Sequence, residues 1–144
     1  MVSSVYDTAM IHVGCAIILN RNPQDKNQGK ILIAQRKPGT HLGGYWEFPG
    51  GKCEDGETMQ ACLEREVNEE LGIAIRPQKF LCSRQHAYPD RTVVLYFYLC
   101  EWVSGRPAKH DCQDFRWTAP TNLQQFRFPP ADTEIIQQLM LMKF

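Results

Sequence analysis

The sequence predicts an α/β or α+β sandwich, and three observations carry that prediction. Short apolar, β-branched runs alternate with polar stretches rich in turn formers. Two segments carry apolar residues at helical spacing. The 144 residues, 43% hydrophobic and 22% charged, suffice for one core and are too few for two ordinary ones. Strands mixed with helices in one core give a layered α/β arrangement.

Taken in chain order, strands are expected at about Ile11–Leu19 and Lys30–Gln35. Between them, Asn20 to Gly29 is polar and includes Asn22-Pro23, so it reads as a long hairpin loop. A helix is expected from about Thr58 to Leu71, stopped by Gly72, a residue suited to the left-handed turn that closes helices. Further strands are expected at Phe80–His86, Thr92–Glu101 and Phe115–Trp117. A last helix follows Pro129-Pro130, with Ile135, Ile136, Leu139 and Met142 at helical spacing. No repeat or linker divides the chain, so residues 1–144 are expected to form a single domain, with residues 1–10 a partly flexible lead-in.

Sixteen basic and 16 acidic residues leave a net charge of zero, which argues against a nucleic-acid polymer as partner. A small anionic ligand stays possible if a metal ion supplies positive charge. The six cysteines form no C-x-x-C pair, and none has a histidine at zinc-finger spacing. They read as reduced thiols of a cytoplasmic protein, several acting as small apolar residues. Val13–Leu19 is too short for a membrane span, and Met1–Met10 lacks the basic start of a signal peptide, so neither membrane nor export is expected.

The segment Gly51 to Ile73 carries the chemistry. On a helix over Thr58–Leu71, Met59, Leu63, Val67 and Leu71 form one apolar stripe. Glu66, Glu69 and Glu70 fall within an arc of about 100° that abuts the stripe. As near neighbours these carboxylates repel, and they sit at the helix C-terminus, where negative charge is disfavoured. Folding gains nothing from that arrangement. A hard divalent cation does, since Mg²⁺ is held by a few carboxylates with phosphate and water. The competing reading is an acidic, solvent-facing helix relieved by Arg65 and Lys52.

Spacing decides between them. The segment resembles the Nudix box, G-x5-E-x7-R-E-U-x-E-E-x-G-U with U aliphatic, and matches every fixed position. Seven fixed residues, each near average usage, match by chance on the order of once in 10⁹ starting points. Outside the box, Tyr45-Trp46-Glu47-Phe48-Pro49-Gly50-Gly51-Lys52 and Tyr88-Pro89-Asp90-Arg91 are similar to the MutT-like branch of the Nudix hydrolases. So are the Gly105-Arg106-Pro107 turn before Trp117 and Phe128-Pro129-Pro130-Ala131.

The resemblance implies a mixed sheet between helices, an α/β/α sandwich with a loop–helix–loop that binds Mg²⁺, for which Mn²⁺ can substitute. It implies that Glu66, Glu69, Glu70 and the Gly51 carbonyl are metal ligands, and that Glu66 is the first candidate for the base acting on the attacking water. Glu57 and Arg65 are expected to pair and fix the motif's shape. A further acidic ligand is expected at Asp111, which aligns with a glutamate in MutT-like enzymes; Asp114 is a rival, and a solvated loop acid is the plain alternative.

Substrate contacts are expected from Arg36, His41 and Lys52, with Phe48 and Tyr88 as candidates to face the base. Asp132 stands where enzymes selecting 8-oxoguanine usually have asparagine. An ionised aspartate only accepts hydrogen bonds, so Asp132 also suits an amino group on cytosine or adenine; as a plain alternative it is a helix N-cap. The implied reaction is hydrolysis of a nucleoside triphosphate to monophosphate and pyrophosphate, with 8-oxo-dGTP sanitation, a mutation-avoidance role, as the leading reading. CTP or 5-methyl-dCTP hydrolysis is the alternative within the same chemistry. A non-catalytic nucleotide-binding module is the alternative outside it. Either a monomer or a homodimer is compatible with the sequence.

Overall fold

The computed structural model describes residues 10–144; apart from Met10, the expected flexible lead-in lies outside the described residues. Met10 itself opens β1 (Met10–Leu19). Then follow β2 (Ile31–Gln35), β3 (Trp46–Glu47), β4 (Gly50–Lys52), α1 (Met59–Leu71), β5 (Ala74–Tyr88), β6 (Arg91–Ser104), β7 (Asp114–Thr118) and α2 (Thr133–Leu141). Two 3₁₀ turns, Pro120–Gln125 and Pro130–Asp132, precede α2.

The strands form one mixed sheet in the order β3-β2-β1-β6-β5, with β4 added to β1 and β7 to β2. β1 and β6 run parallel through ten residue pairs, from Met10↔Thr92 to Leu19↔Glu101. The other pairings are antiparallel. From Gly14 to Leu19 every β1 residue is buried, the pattern of a strand covered on both faces. Alternate side chains explain how. Ile17 and Leu19 point to the layer of Leu123, Ile135 and Leu139, while Ala16 and Ile18 point to Leu63, Val67 and Leu71 of α1. The result is the expected sandwich of sheet between helices.

β5 and β6 are longer than their sequence suggests. β5 reaches from Ala74 to Tyr88 because its register shifts near Pro77 and Phe80 break the alternation that marks a strand. It lies at the sheet edge, where a proline is tolerated. The β3 and β4 pieces are too short to leave a periodic signal. At the other end Met142 leaves the helix in an extended conformation, yet still packs on the core.

α1 is bounded as its sequence dictates. The Thr58 hydroxyl accepts the Ala61 N–H at 3.1 Å, and Gly72 closes the helix at φ 72° with its N–H on the Asn68 carbonyl at 2.8 Å. Leu63, Val67 and Leu71 are fully buried, roughly 1.5–3 kcal/mol each.

The cysteine expectation needs correction. Cys53 and Cys62 form a disulfide, closing a short ring between the loop before α1 and the helix's first turn. Sequence spacing gave no sign of it, because only folding brings the two Cα atoms to 5.2 Å. Cys15, Cys82, Cys100 and Cys112 are free, and burial pushes the Cys100 thiol up to about 12. Among the described residues no helix is long and apolar enough to cross a membrane.

Candidate active site

The α1 packing dictates where its carboxylates go. With Leu63 and Val67 under the sheet, Glu66 and Glu70 turn toward β4, and Glu69 remains largely in solvent with 58% of its side chain exposed. Glu66 lies directly over Gly51; a methyl group there would fall on the Glu66 carboxylate. Any side chain at that position would have to displace the Glu66 carboxylate. Gly50 donates its N–H to Glu70 at 3.2 Å.

These groups line a cleft of about 400 Å³ together with Arg36, Lys37, Glu47 and Asp111. In this structure all five of its carboxylates are engaged by the protein. Arg65 Nη1 donates to Glu66 at 2.6 Å and to Glu69 at 2.9 Å. Its other edge grips Glu57, Nε at 2.6 Å and Nη2 at 2.9 Å, while Nη2 also reaches the Lys52 carbonyl at 3.1 Å. The guanidinium holds Glu57 down to about 2. Glu57 also accepts the Glu54 N–H, so the expected shape-fixing pair is present.

Glu70, only 7% exposed, faces the carboxyl of Glu47 within hydrogen-bonding range. Burial, and then the charge of Glu47, pushes the Glu70 carboxyl well up. Glu47 itself is half-buried, and the proximity of the two carboxyls disfavours charge on both at once.

Among the described residues no three Asp, Glu, His or Cys side chains stand grouped at metal-holding distances. The expected ligands Glu66, Glu69, Glu70 and Gly51 are brought to one cleft, where Arg65 and Glu47 contact the glutamates. The donor set itself, carboxylate oxygens and a glycine carbonyl, fits a hard divalent cation. Of the two loop acids, Asp111 lines the cleft and pairs with Lys37 at 3.0 Å. Asp114 is turned to Lys109 and Arg116 and accepts the Phe115 N–H.

A second cavity of about 290 Å³ adjoins the first and shares Arg36, Glu47, Gly50 and Gly51 with it. His41, Phe48, Lys52, Tyr88 and Asp132, all expected at the substrate, line it. Arg36 is fixed by Nε on the His41 carbonyl at 2.6 Å and Nη1 on Glu47 at 3.0 Å. His41 and His86 both pack edge-on against Tyr88. Phe48 is buried between Phe97 and Phe128, so it serves the core and the pocket floor together.

Asp132 heads α2 but makes no side-chain capping bond, which removes the N-cap reading. It is 7% exposed and lines the wall of the second cavity. Burial, and secondarily Glu47, pushes it up to about 7. Sequence reasoning passed over Glu47, Cys15, His86 and Arg91 as site residues. Glu47 and Arg91 lie in the flanking segments quoted above, but nothing local marks Glu47 as facing Glu70. The registers Gln35↔Trp46 and Cys15↔Gly50 bring Glu47 and Cys15 to the cavities, and the β5–β6 pairing brings His86 and Arg91.

Comparison with known proteins bears on the family and the fold. Residues 24–138 match the model of the NUDIX domain. The chain is 34% identical to the "8-oxo-dGTP diphosphatase" of Haemophilus influenzae, covering 93% of this chain and 94% of that one. It is 33% identical to the "CTP pyrophosphohydrolase" of Escherichia coli, again covering 93% and 94%. Among solved structures, the E. coli ORF135 protein superposes with a TM-score of 0.74 at 33% identity, over 91% of this chain and 89% of that one.

Proposed function

The chain belongs to the NUDIX domain family, and from that premise we propose that it hydrolyses a nucleoside triphosphate to the monophosphate and pyrophosphate with Mg²⁺, preferring 8-oxo-dGTP. The observation that carries the reading is the shared wall of the two cavities. A carboxylate-lined cleft and an apolar, aromatic pocket meet at Arg36, Glu47, Gly50 and Gly51. A nucleotide lying across that wall puts its base beside Asp132 and its phosphates over Glu66, Glu69 and Glu70.

In that pose Glu66, Glu69, Glu70 and the Gly51 carbonyl hold the metal, with Asp111 as the further acid. Bound Mg²⁺ neutralises phosphate charge and lowers the pKa of water. Glu66 orients or deprotonates the water that attacks the β-phosphorus. Arg65, anchored on Glu57, keeps α1 and the preceding loop in register. Arg36 is held on two sides, so its Nη2 edge is left to meet a phosphate oxygen. Lys52 and His41 flank the same path.

Asp132 supports the choice of base. Near-equal identity to relatives named for two different bases leaves that choice to the pocket. A carboxyl raised to about 7 is largely protonated below neutrality. A neutral carboxyl has one donor and one acceptor, as an asparagine amide does. That pair matches 8-oxoguanine, whose O6 accepts and whose N7–H donates. The ionised form only accepts and suits the cytosine amino group, so CTP or 5-methyl-dCTP is the second reading.

Purified protein with Mg²⁺ against 8-oxo-dGTP, dGTP, dCTP, 5-methyl-dCTP and CTP, scored by kcat/KM, tests both. Turnover of none of these sinks the enzyme reading; a preference for the cytosine substrates selects the second. The neutral net charge supports a mononucleotide partner over a nucleic-acid polymer, and the cytoplasmic nucleotide pool is the proposed setting. A monomer or homodimer both fit.

A further inference from the structure

The Cys53–Cys62 bridge lies inside the metal-binding motif, and nothing in the proposed reaction uses it. Cys53 follows Lys52 directly and is pinned by its N–H on the His12 carbonyl at 2.8 Å. Cys62 is fully buried on the first turn of α1, with its sulfur 3.7 Å from the Gly51 carbonyl oxygen. The bridge therefore ties the strand that presents that carbonyl to the helix that presents the glutamates.

One end of the bridge can be reached without entering the active site. Cys53 is half-buried and lines a surface cleft of about 300 Å³ with His12, Glu54, Glu57 and Tyr96. No residue of that cleft lines either cavity described above. The remaining four cysteines are unpaired, which is unlike a disulfide scaffold. In a thiol-reducing compartment, a lone bridge of this kind belongs to the redox-exchanging class.

We infer that Cys53–Cys62 is a reversible thiol–disulfide site, opened by a dithiol and closed by a peroxide, whose oxidised state tightens divalent-metal binding at the Gly51 carbonyl. This rests on the metal reading of the cleft. In opening, one thiolate of the dithiol attacks Cys53 Sγ, and Cys62 leaves as a thiolate that takes a proton from water. The second thiolate then displaces Cys53, giving two protein thiols and an oxidised dithiol. In closing, the Cys53 thiolate takes an OH from hydrogen peroxide to give a sulfenic acid and hydroxide. Cys62 displaces that OH, the disulfide forms, and the second oxygen leaves as water. Opening the ring frees the loop before α1 from the helix, and the Gly51 carbonyl is then held less firmly. Loss of such outer support weakens metal binding about tenfold.

The test measures thiol state and metal binding separately. Full-length protein is equilibrated across dithiothreitol redox buffers, alkylated and mapped by peptide mass spectrometry. Free Mn²⁺ is counted by electron paramagnetic resonance on each form. Cys53 and Cys62 should convert together, and the oxidised form should bind Mn²⁺ about tenfold tighter than the reduced form. Cys53→Ser should bind as the reduced protein does and ignore dithiothreitol. A pair that never converts in these buffers overturns the inference, and so does equal Mn²⁺ affinity in both forms. Absence of Mn²⁺ binding in every form overturns the metal reading and this inference with it.

Discussion

Replacing Asp132 by asparagine should change the pH dependence of stability by an amount the structure sets. The side chain is 7% exposed on the cavity wall, and its pKa rises from 3.8 to about 7, through burial first and Glu47 second. Between those values the folded protein keeps a proton that the unfolded chain has lost. The neutral carboxyl's contribution is therefore complete below pH 3.8 and is lost as pH climbs to about 7. A gap of about three units at about 1.4 kcal/mol each amounts to roughly 4 kcal/mol. Asparagine fills the same space and cannot ionise. The variant should match the wild type within a constant offset at pH 4 and gain about 4 kcal/mol on it by pH 8, a rise in Tm of roughly 10 °C. Urea unfolding of the metal-free proteins, followed by tryptophan fluorescence from pH 4 to 8.5, measures the difference directly. A difference that stays flat with pH refutes the raised carboxyl, and with it the pH-dependent choice of base.

Two further outcomes address the cleft. Glu69→Gln removes charge at nearly constant volume from a side chain 58% exposed, so Tm should hold within a few degrees. Its kcat/KM should fall on the order of 100-fold or more, and retained activity would contradict its place among the ligands. Gly51→Ala drives a methyl group into the Glu66 carboxylate, so Mn²⁺ affinity should fall about tenfold or more while circular dichroism stays native. Unchanged affinity in that variant would separate Glu66 from the metal.

The parts of this molecule that were legible in the sequence are those fixed by local rules. α1 has its N-cap at Thr58, its stop at Gly72 and an uninterrupted apolar stripe, and its bounds follow from these. β1 and β6 are long apolar runs and are legible as strands, while their parallel pairing across about 80 residues is not. The carboxylates of Glu66, Glu69 and Glu70 were legible because charge at that end of a helix conflicts with folding. What stayed hidden depends on register between distant segments. Glu47 meets Glu70 only because β3 pairs with β2, and Cys53 meets Cys62 only because the loop doubles back on α1. Residue type gave no sign of either, since a glutamate in a short strand and two cysteines nine residues apart look ordinary alone.

The arginine of the motif shows how a metal site can be held open by protein charge. Arg65 has two faces with different tasks. Nε and Nη2 hold Glu57 and the Lys52 carbonyl, contacts that tie loop to helix and do not compete with a cation. Nη1 holds Glu66 and Glu69, which a cation would take over. Lysine carries the same charge as a single point with no fork. Arg65→Lys can therefore neutralise the glutamates or anchor the loop, but not both. It should lower Tm by several degrees and cut kcat/KM at least tenfold, with the loss persisting at saturating Mg²⁺ because loop geometry rather than charge is missing. Glu57→Gln keeps the arginine but weakens its fixed face, and should reproduce the loss in milder form. Full activity of Arg65→Lys at high Mg²⁺ would mean that positive charge alone is required here, and the division of labour between the two faces would fall.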